Sequence, residues 1–222
     1  METVHWTPRQ RAEQYNLRFP DRPPLASTPD WVVGAWCIGA CYRNPNPLHG
    51  AYPHGYLERV HAMFPDARRV LHAFSGGLTE RGAIDALGWP ITHDLDRSIQ
   101  MLALGLELQL VDQHGPEDGR HPTWQGDVCA MPEDWAGRFD LVLADPPYSS
   151  KDAEVYGTPM PNRAKVMRAL ARVTRPGGNL VWLDTRWPMH RKDQWRCWGH
   201  VALVRSTNHR VRLVSMFERA GR

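Results

Sequence analysis

The feature that most restricts what this 222-residue chain can become is a short apolar run, Phe139-Asp-Leu-Val-Leu-Ala144, that stops on Asp145-Pro146-Pro147-Tyr148. The run reads as a buried strand: it is brief, partly β-branched and preceded by the turn-forming Ala136-Gly137-Arg138. Two consecutive prolines stiffen the chain and leave carbonyl groups without intrahelical partners, so the backbone must turn there. A carboxylate and an aromatic ring are thereby held together at the end of a strand.

The surrounding pattern supplies a sheet for that strand. Tyr56, Leu57, Val60, Met63 and Phe64 recur at helical spacing before Pro65-Asp66, and Val70-Leu-His-Ala-Phe74 reads as a short strand running into Ser75-Gly76-Gly77. A helix is expected over Thr79 to Leu87, a polar strand end at Ile91-Thr-His-Asp94, and another helix over Ser98 to Val111. Thr123 to Val128 is a candidate strand, Asn162 to Val173 a helix stopped by Arg175-Pro-Gly-Gly178, and Leu180-Val-Trp-Leu183 a strand. Val201 to Arg205 and Val211 to Met216 flank Ser206-Thr-Asn-His209 as an antiparallel hairpin. Strands alternating with helices imply right-handed crossovers, hence an α/β, doubly wound and mainly parallel sheet with helices on both faces. Residues 1–54, rich in Pro, Trp, Tyr and Arg, are expected to form an arm or cap on a main domain over 55–222. Within the arm, a helix at Arg9 to Leu17 and an extended Trp31-Val-Val-Gly-Ala-Trp36 are expected.

Composition excludes several classes. A hydrophobic fraction of 42% with 10 Trp is incompatible with end-to-end disorder. No stretch approaches a membrane span, and with one C-x3-C pair among four cysteines, thiols are a more economical reading than zinc. A reducing cytoplasm is the default compartment. The net charge of +3 hides an asymmetry: Asp112 to Glu154 holds 10 acidic and 3 basic residues, Arg186 to Arg222 holds 9 basic and 2 acidic. Such a basic end attracts polyanions or is simply solvated.

In an open parallel sheet, ligands bind beyond the carboxyl ends of the strands. Ser75-Gly76-Gly77 lets a ligand approach the backbone there, although it lacks the dinucleotide G-x-G-x-x-G pattern. Asp94 is placed to accept from a ribose diol, with Asp96 as its rival, and Asp127 to meet an adenine amino group; each is equally a turn or capping residue. At Asp145-Pro-Pro-Tyr148 the carboxylate and the Pro146 carbonyl can accept both hydrogens of an exocyclic amine while Tyr148 stacks on its ring. Arg186, Trp187, Arg191, Lys192 and Trp195 interleave cations and aromatics, as a strand-gripping segment would, and Lys151 lies just beyond the turn; Trp195 and Trp198 equally suit packing on the sheet.

Ala144-Asp-Pro-Pro-Tyr148 resembles the catalytic motif of the amino-directed, S-adenosylmethionine-dependent DNA methyltransferases, and Phe74-Ser-Gly-Gly77 is similar to their cofactor loop. The resemblance, over roughly Val70 to Phe217, implies a Rossmann-like class I methyltransferase sheet with S-adenosylmethionine held by Phe74, Ser75, Gly76, Asp94 and Asp127. It implies Asp145, Pro146 and Tyr148 as catalytic residues and no metal. The expected activity is adenine-N6 methylation of a base flipped out of duplex DNA, with a homodimer or a separate specificity partner as further expectations. The alternatives are an RNA amine methyltransferase acting on adenine-N6 or guanine-N2, a DNA cytosine-N4 enzyme, and a nucleic-acid-binding protein without chemistry.

Overall fold

The computed structural model describes residues 5–39, 52–92, 96–205 and 210–221. The amino-terminal segment contributes helix α1 (Pro8–Arg18) and strands β1 (Ala26–Ser27) and β2 (Val32–Ile38). After α2 (Tyr56–Met63) come β3 (Arg69–Ala73), α3 (Glu80–Leu87), α4 (Arg97–Ala103), β4 (Glu107–Asp112) and β5 (Trp124–Gln125). The chain continues through β6 (Phe139–Ala144), α5 (Ser150–Val155), α6 (Arg163–Val173), β7 (Thr174–Asp184), β8 (Trp195–Arg205) and β9 (Val211–Arg219).

The nine strands of the described residues form one sheet in the order β1-β2-β8-β9-β7-β6-β3-β4-β5. The β5-β4-β3-β6-β7 half is parallel, whereas β9 runs antiparallel between β7 and β8. This is the mainly parallel sheet with an antiparallel carboxyl-terminal hairpin expected of a class I, Rossmann-like methyltransferase fold. The extended segment around Trp36 also finds its partner, because β2 pairs in parallel with β8 from Val32↔Gly199 to Ile38↔Arg205.

Period-two alternation sends neighbouring side chains of each inner strand to opposite faces. Val70 and Leu141 face α1, α2 and α3 in one core, with Tyr15, Trp36 and Tyr56. Leu71 and Val142 face α6 in the other, with Leu170, Trp182 and Phe217. At roughly 1.5–3 kcal/mol for each large side chain removed from water, these two layers outweigh any surface pairing.

One expected helix is corrected. Ser98 to Val111 is not continuous, for α4 ends at Ala103 and β4 begins at Glu107. Gly105, at φ +64°, turns the chain left-handed between them, and the alternation of buried Leu108 and Leu110 with half-buried Glu107 and Gln109 belongs to a strand. The second strand of the parallel half is therefore β4, and its carboxyl end is Asp112. Asp94, expected at that position, lies outside the described residues, while Ile91 and Thr92 are not in a strand. Asp96 caps α4, its carboxylate accepting from the Ile99 amide at 3.1 Å.

Candidate active site

The strand order reverses between β3 and β6, and the loops that leave their carboxyl ends open into a common cleft of about 720 Å³. Phe74, Gly76, Asp127, Asp145, Pro146 and Tyr148, far apart in sequence, all line it.

On the β3 side the loop is tightly constrained. Phe74 adopts φ +60°, a left-handed conformation that costs a residue with a side chain about 1–2 kcal/mol, and Gly76 follows at φ +57°. Bonds to β4 hold it: the Ser75 amide donates to the Val111 carbonyl at 3.0 Å and the Gly76 amide to Asp112 Oδ2 at 2.8 Å. Ser75 itself is fully buried beneath the cleft, not on its wall. Asp112 is also bonded through Oδ1 by the His114 amide at 3.0 Å and Arg120 at 3.3 Å. It lines the cleft, a position that the reading of 98–111 as one helix concealed. Asp127 lines the wall near β5 and accepts from the Cys129 amide at 2.8 Å, so it is a capping residue facing the cleft.

On the β6 side the Tyr148 hydroxyl donates to Asp145 Oδ1; Oδ2 accepts no hydrogen bond among the described residues. Burial pushes the Asp145 carboxyl up to about 7, although the tyrosine bond and nearby Arg212 favour its ionised form. Burial likewise raises Tyr148 well above the ordinary phenol value, with Asp145 adding to the shift, so it donates as a neutral hydroxyl. Behind the turn, Arg163 binds Asp184 at 2.6 and 3.1 Å and donates to the Tyr148 carbonyl at 3.1 Å and, more weakly, to the Pro147 carbonyl at 3.4 Å. Asp184 is completely buried at the end of β7. This pair, unforeseen from the sequence, fixes the bend while leaving the Pro146 carbonyl uncommitted among the described residues.

The residues expected to grip substrate lie elsewhere. Trp195 is corrected outright: as the first residue of β8 it is 1% exposed, and its indole N–H donates to the Met167 carbonyl at 3.1 Å, so no base can stack on it. Trp187 is exposed but leans edge-on against His200, centroid to centroid 4.9 Å, and Arg191 pairs with Asp193 at 2.7 Å. These two, Arg186 and Lys151 are exposed but off the walls of the cleft. The connection from β7 runs back toward the start of β8, which carries it away from the strand ends. Among the described residues, the Arg and Lys side chains on the cleft are Arg120, Lys165, Arg205 and Arg212. Tyr52, stacked on Tyr56 at 5.4 Å, supplies a further aromatic wall.

Sheet order and cleft position together define the class I methyltransferase fold. No protein-family model matches the chain. A ribosomal RNA large subunit methyltransferase K/L from Allochromatium vinosum is 31% identical over 134 residues, 58% of this chain and 18% of that protein. The chain thus spans less than a fifth of that relative's length. Among solved structures, a Burkholderia thailandensis 1,6-didemethyltoxoflavin-N1-methyltransferase aligns at 14% identity over 74% of this chain and 77% of its own, with a TM-score of 0.44. TrmN from Thermus thermophilus aligns at 15% identity over 73% and 48%, with a TM-score of 0.44.

Proposed function

We propose that this chain is an S-adenosylmethionine-dependent methyltransferase that modifies an exocyclic purine amine, adenine-N6 or guanine-N2, in unpaired RNA. The observation that carries the reading is the Asp145-Pro146-Pro147-Tyr148 bend opening on the same cleft as the Gly76 loop. The expectation of a DNA adenine-N6 enzyme is corrected. The curated relative is named for ribosomal RNA, and the basic-aromatic segment expected to grip a duplex lies off the cleft. Unpaired RNA needs no duplex to be opened, and its splayed bases suit an aromatic platform.

The residues present fit the cofactor. Gly76 lets the ligand come close to the backbone, Phe74 gives an apolar wall, and Asp112 and Asp127 bring two carboxylates to the same side of the cleft. Asp112 is the ribose acceptor in this reading, since it ends the strand beside β3, the place assigned to Asp94 from sequence; Asp127 faces the adenine amine. Bound there, the cofactor supplies a methyl group already activated by its positive sulfur.

An aromatic amine is a poor nucleophile while its lone pair is delocalised into the ring. Asp145 Oδ2 and the Pro146 carbonyl accept its two hydrogens, which favours the pyramidal nitrogen of the transition state. Tyr148 steadies Oδ1 and offers its ring for stacking, and the Arg163–Asp184 pair holds the bend in place. Asp145 retains the proton lost after transfer or passes it to water; its elevated pKa suits that task.

Incubation with radiolabelled cofactor and ribosomal RNA fragments, duplex DNA, single-stranded DNA or free nucleosides tests the reading. Label in RNA, recovered after digestion as an N-methylated purine nucleoside, is the expected result. Label confined to DNA or to small molecules overturns it.

A further inference from the structure

Arg212 stands at the start of β9 on the cleft wall, half-buried, with its guanidinium carbon 4.6 Å from the centre of the Tyr148 ring. Two other arginines near the bend are committed, Arg163 to buried Asp184 and Arg120 to Asp112. Among the described residues, the Arg212 side chain makes no hydrogen bond and no ion pair within 4 Å; its charge favours the ionised form of nearby Asp145, and its guanidinium lies over the ring face of Tyr148. Its guanidinium nitrogens are not sealed from water, so their five donors stand available to an anion that enters the cleft. A flat guanidinium also covers an aromatic ring much as a nucleobase does, so the two compete for the same surface.

We propose that Arg212 is a positioning residue: in the free protein it keeps the stacking face of Tyr148 covered, and it passes to the target nucleotide's phosphate when the base takes its place. The proposal rests on the RNA-amine reading above and adds to it the order of events. The ring exchanges one planar group for another and never stands bare, and the released cation finds the anion that arrives with the base. A nucleoside, lacking that anion, must displace Arg212 with nothing to receive it.

Inhibition constants for adenosine and guanosine, and for their 5′-monophosphates, are measured against methyl transfer to an RNA oligonucleotide in wild type, Arg212→Ala and Arg212→Lys. In Arg212→Ala the nucleosides should inhibit roughly 3- to 10-fold better, since no cation need be displaced, while the monophosphates weaken about 10-fold. The slope of log KM for RNA against log salt should fall by about 0.7, the value for one lost phosphate contact on a single strand. Arg212→Lys should restore the salt slope and most of the monophosphate inhibition. Nucleosides and monophosphates weakening together, or neither changing, overturns the proposal, because a wall residue or a bystander gives no opposite signs. Wild type that methylates no RNA overturns the functional reading and, with it, the phosphate step; that result is read without any variant.

Discussion

In the proposed reaction Asp145 accepts hydrogens from an amine, a task that its ionised form performs far better than its protonated one. Because burial raises this carboxyl to about 7, the ionised fraction increases as pH rises through neutrality. The single-turnover rate is therefore expected to climb about tenfold per unit below pH 7 and to level off above it. Asp145→Asn should lower the plateau by roughly 10²- to 10⁴-fold and remove that limb, as a pH–rate profile with cofactor saturating would show. A limb surviving in the asparagine variant assigns the titration to another group. The place of Asp145 at the end of a strand was legible beforehand because a strand followed by Asp-Pro-Pro-Tyr leaves so few conformations open. Arg212 was not, since nothing local distinguishes an arginine that lies across a ring 64 positions earlier in the chain from one that faces solvent.

At the scale of elements, the bend depends on the start of α6 being tied to the end of β7. Arg163→Met would leave Asp184 as a buried carboxylate deprived of its cation, a change expected to cost about 3–5 kcal/mol. Urea unfolding at pH 7.5 measures that loss. The double variant Arg163→Met, Asp184→Leu should recover much of the stability but not the transfer rate, because the carbonyls of Pro147 and Tyr148 would still lack their donor. Recovery of both would make the pair a purely structural feature. The same scale explains why the substrate-gripping segment was misplaced from sequence. Arg186 to Gly199 has the composition of a nucleic-acid contact, but composition does not state direction; the sheet sends this stretch from the end of β7 to the start of β8. The error over 98–111 has the converse cause. Leu102, Leu104, Leu106, Leu108 and Leu110 recur every two positions and therefore also every four, so strand and helix spacing overlap in so short a span, and only Gly105 divides them.

For the molecule as a whole, the amino-terminal segment is woven into the sheet. β2 occupies the flank of β8, and Trp36 lies between Tyr15, stacked at 5.6 Å, and Tyr56, met edge-on at 6.2 Å. Tyr56 in turn backs Tyr52 on the cleft wall, so the segment bears on the site through three aromatic rings. Trp36→Ala is expected to destabilise by about 3–5 kcal/mol, like an interior position of the central strands. A calorimetric loss below about 1 kcal/mol would mark the segment as an appendage. The parallel pairing of residues 32–38 with 199–205 also sets a timetable. While the chain is being made, β2 and its Trp36 must wait without their partner strand until residues 199–205 have emerged from the ribosome. Closure of that long loop comes late, and a nascent chain stalled before β8 would be an expected client for chaperones.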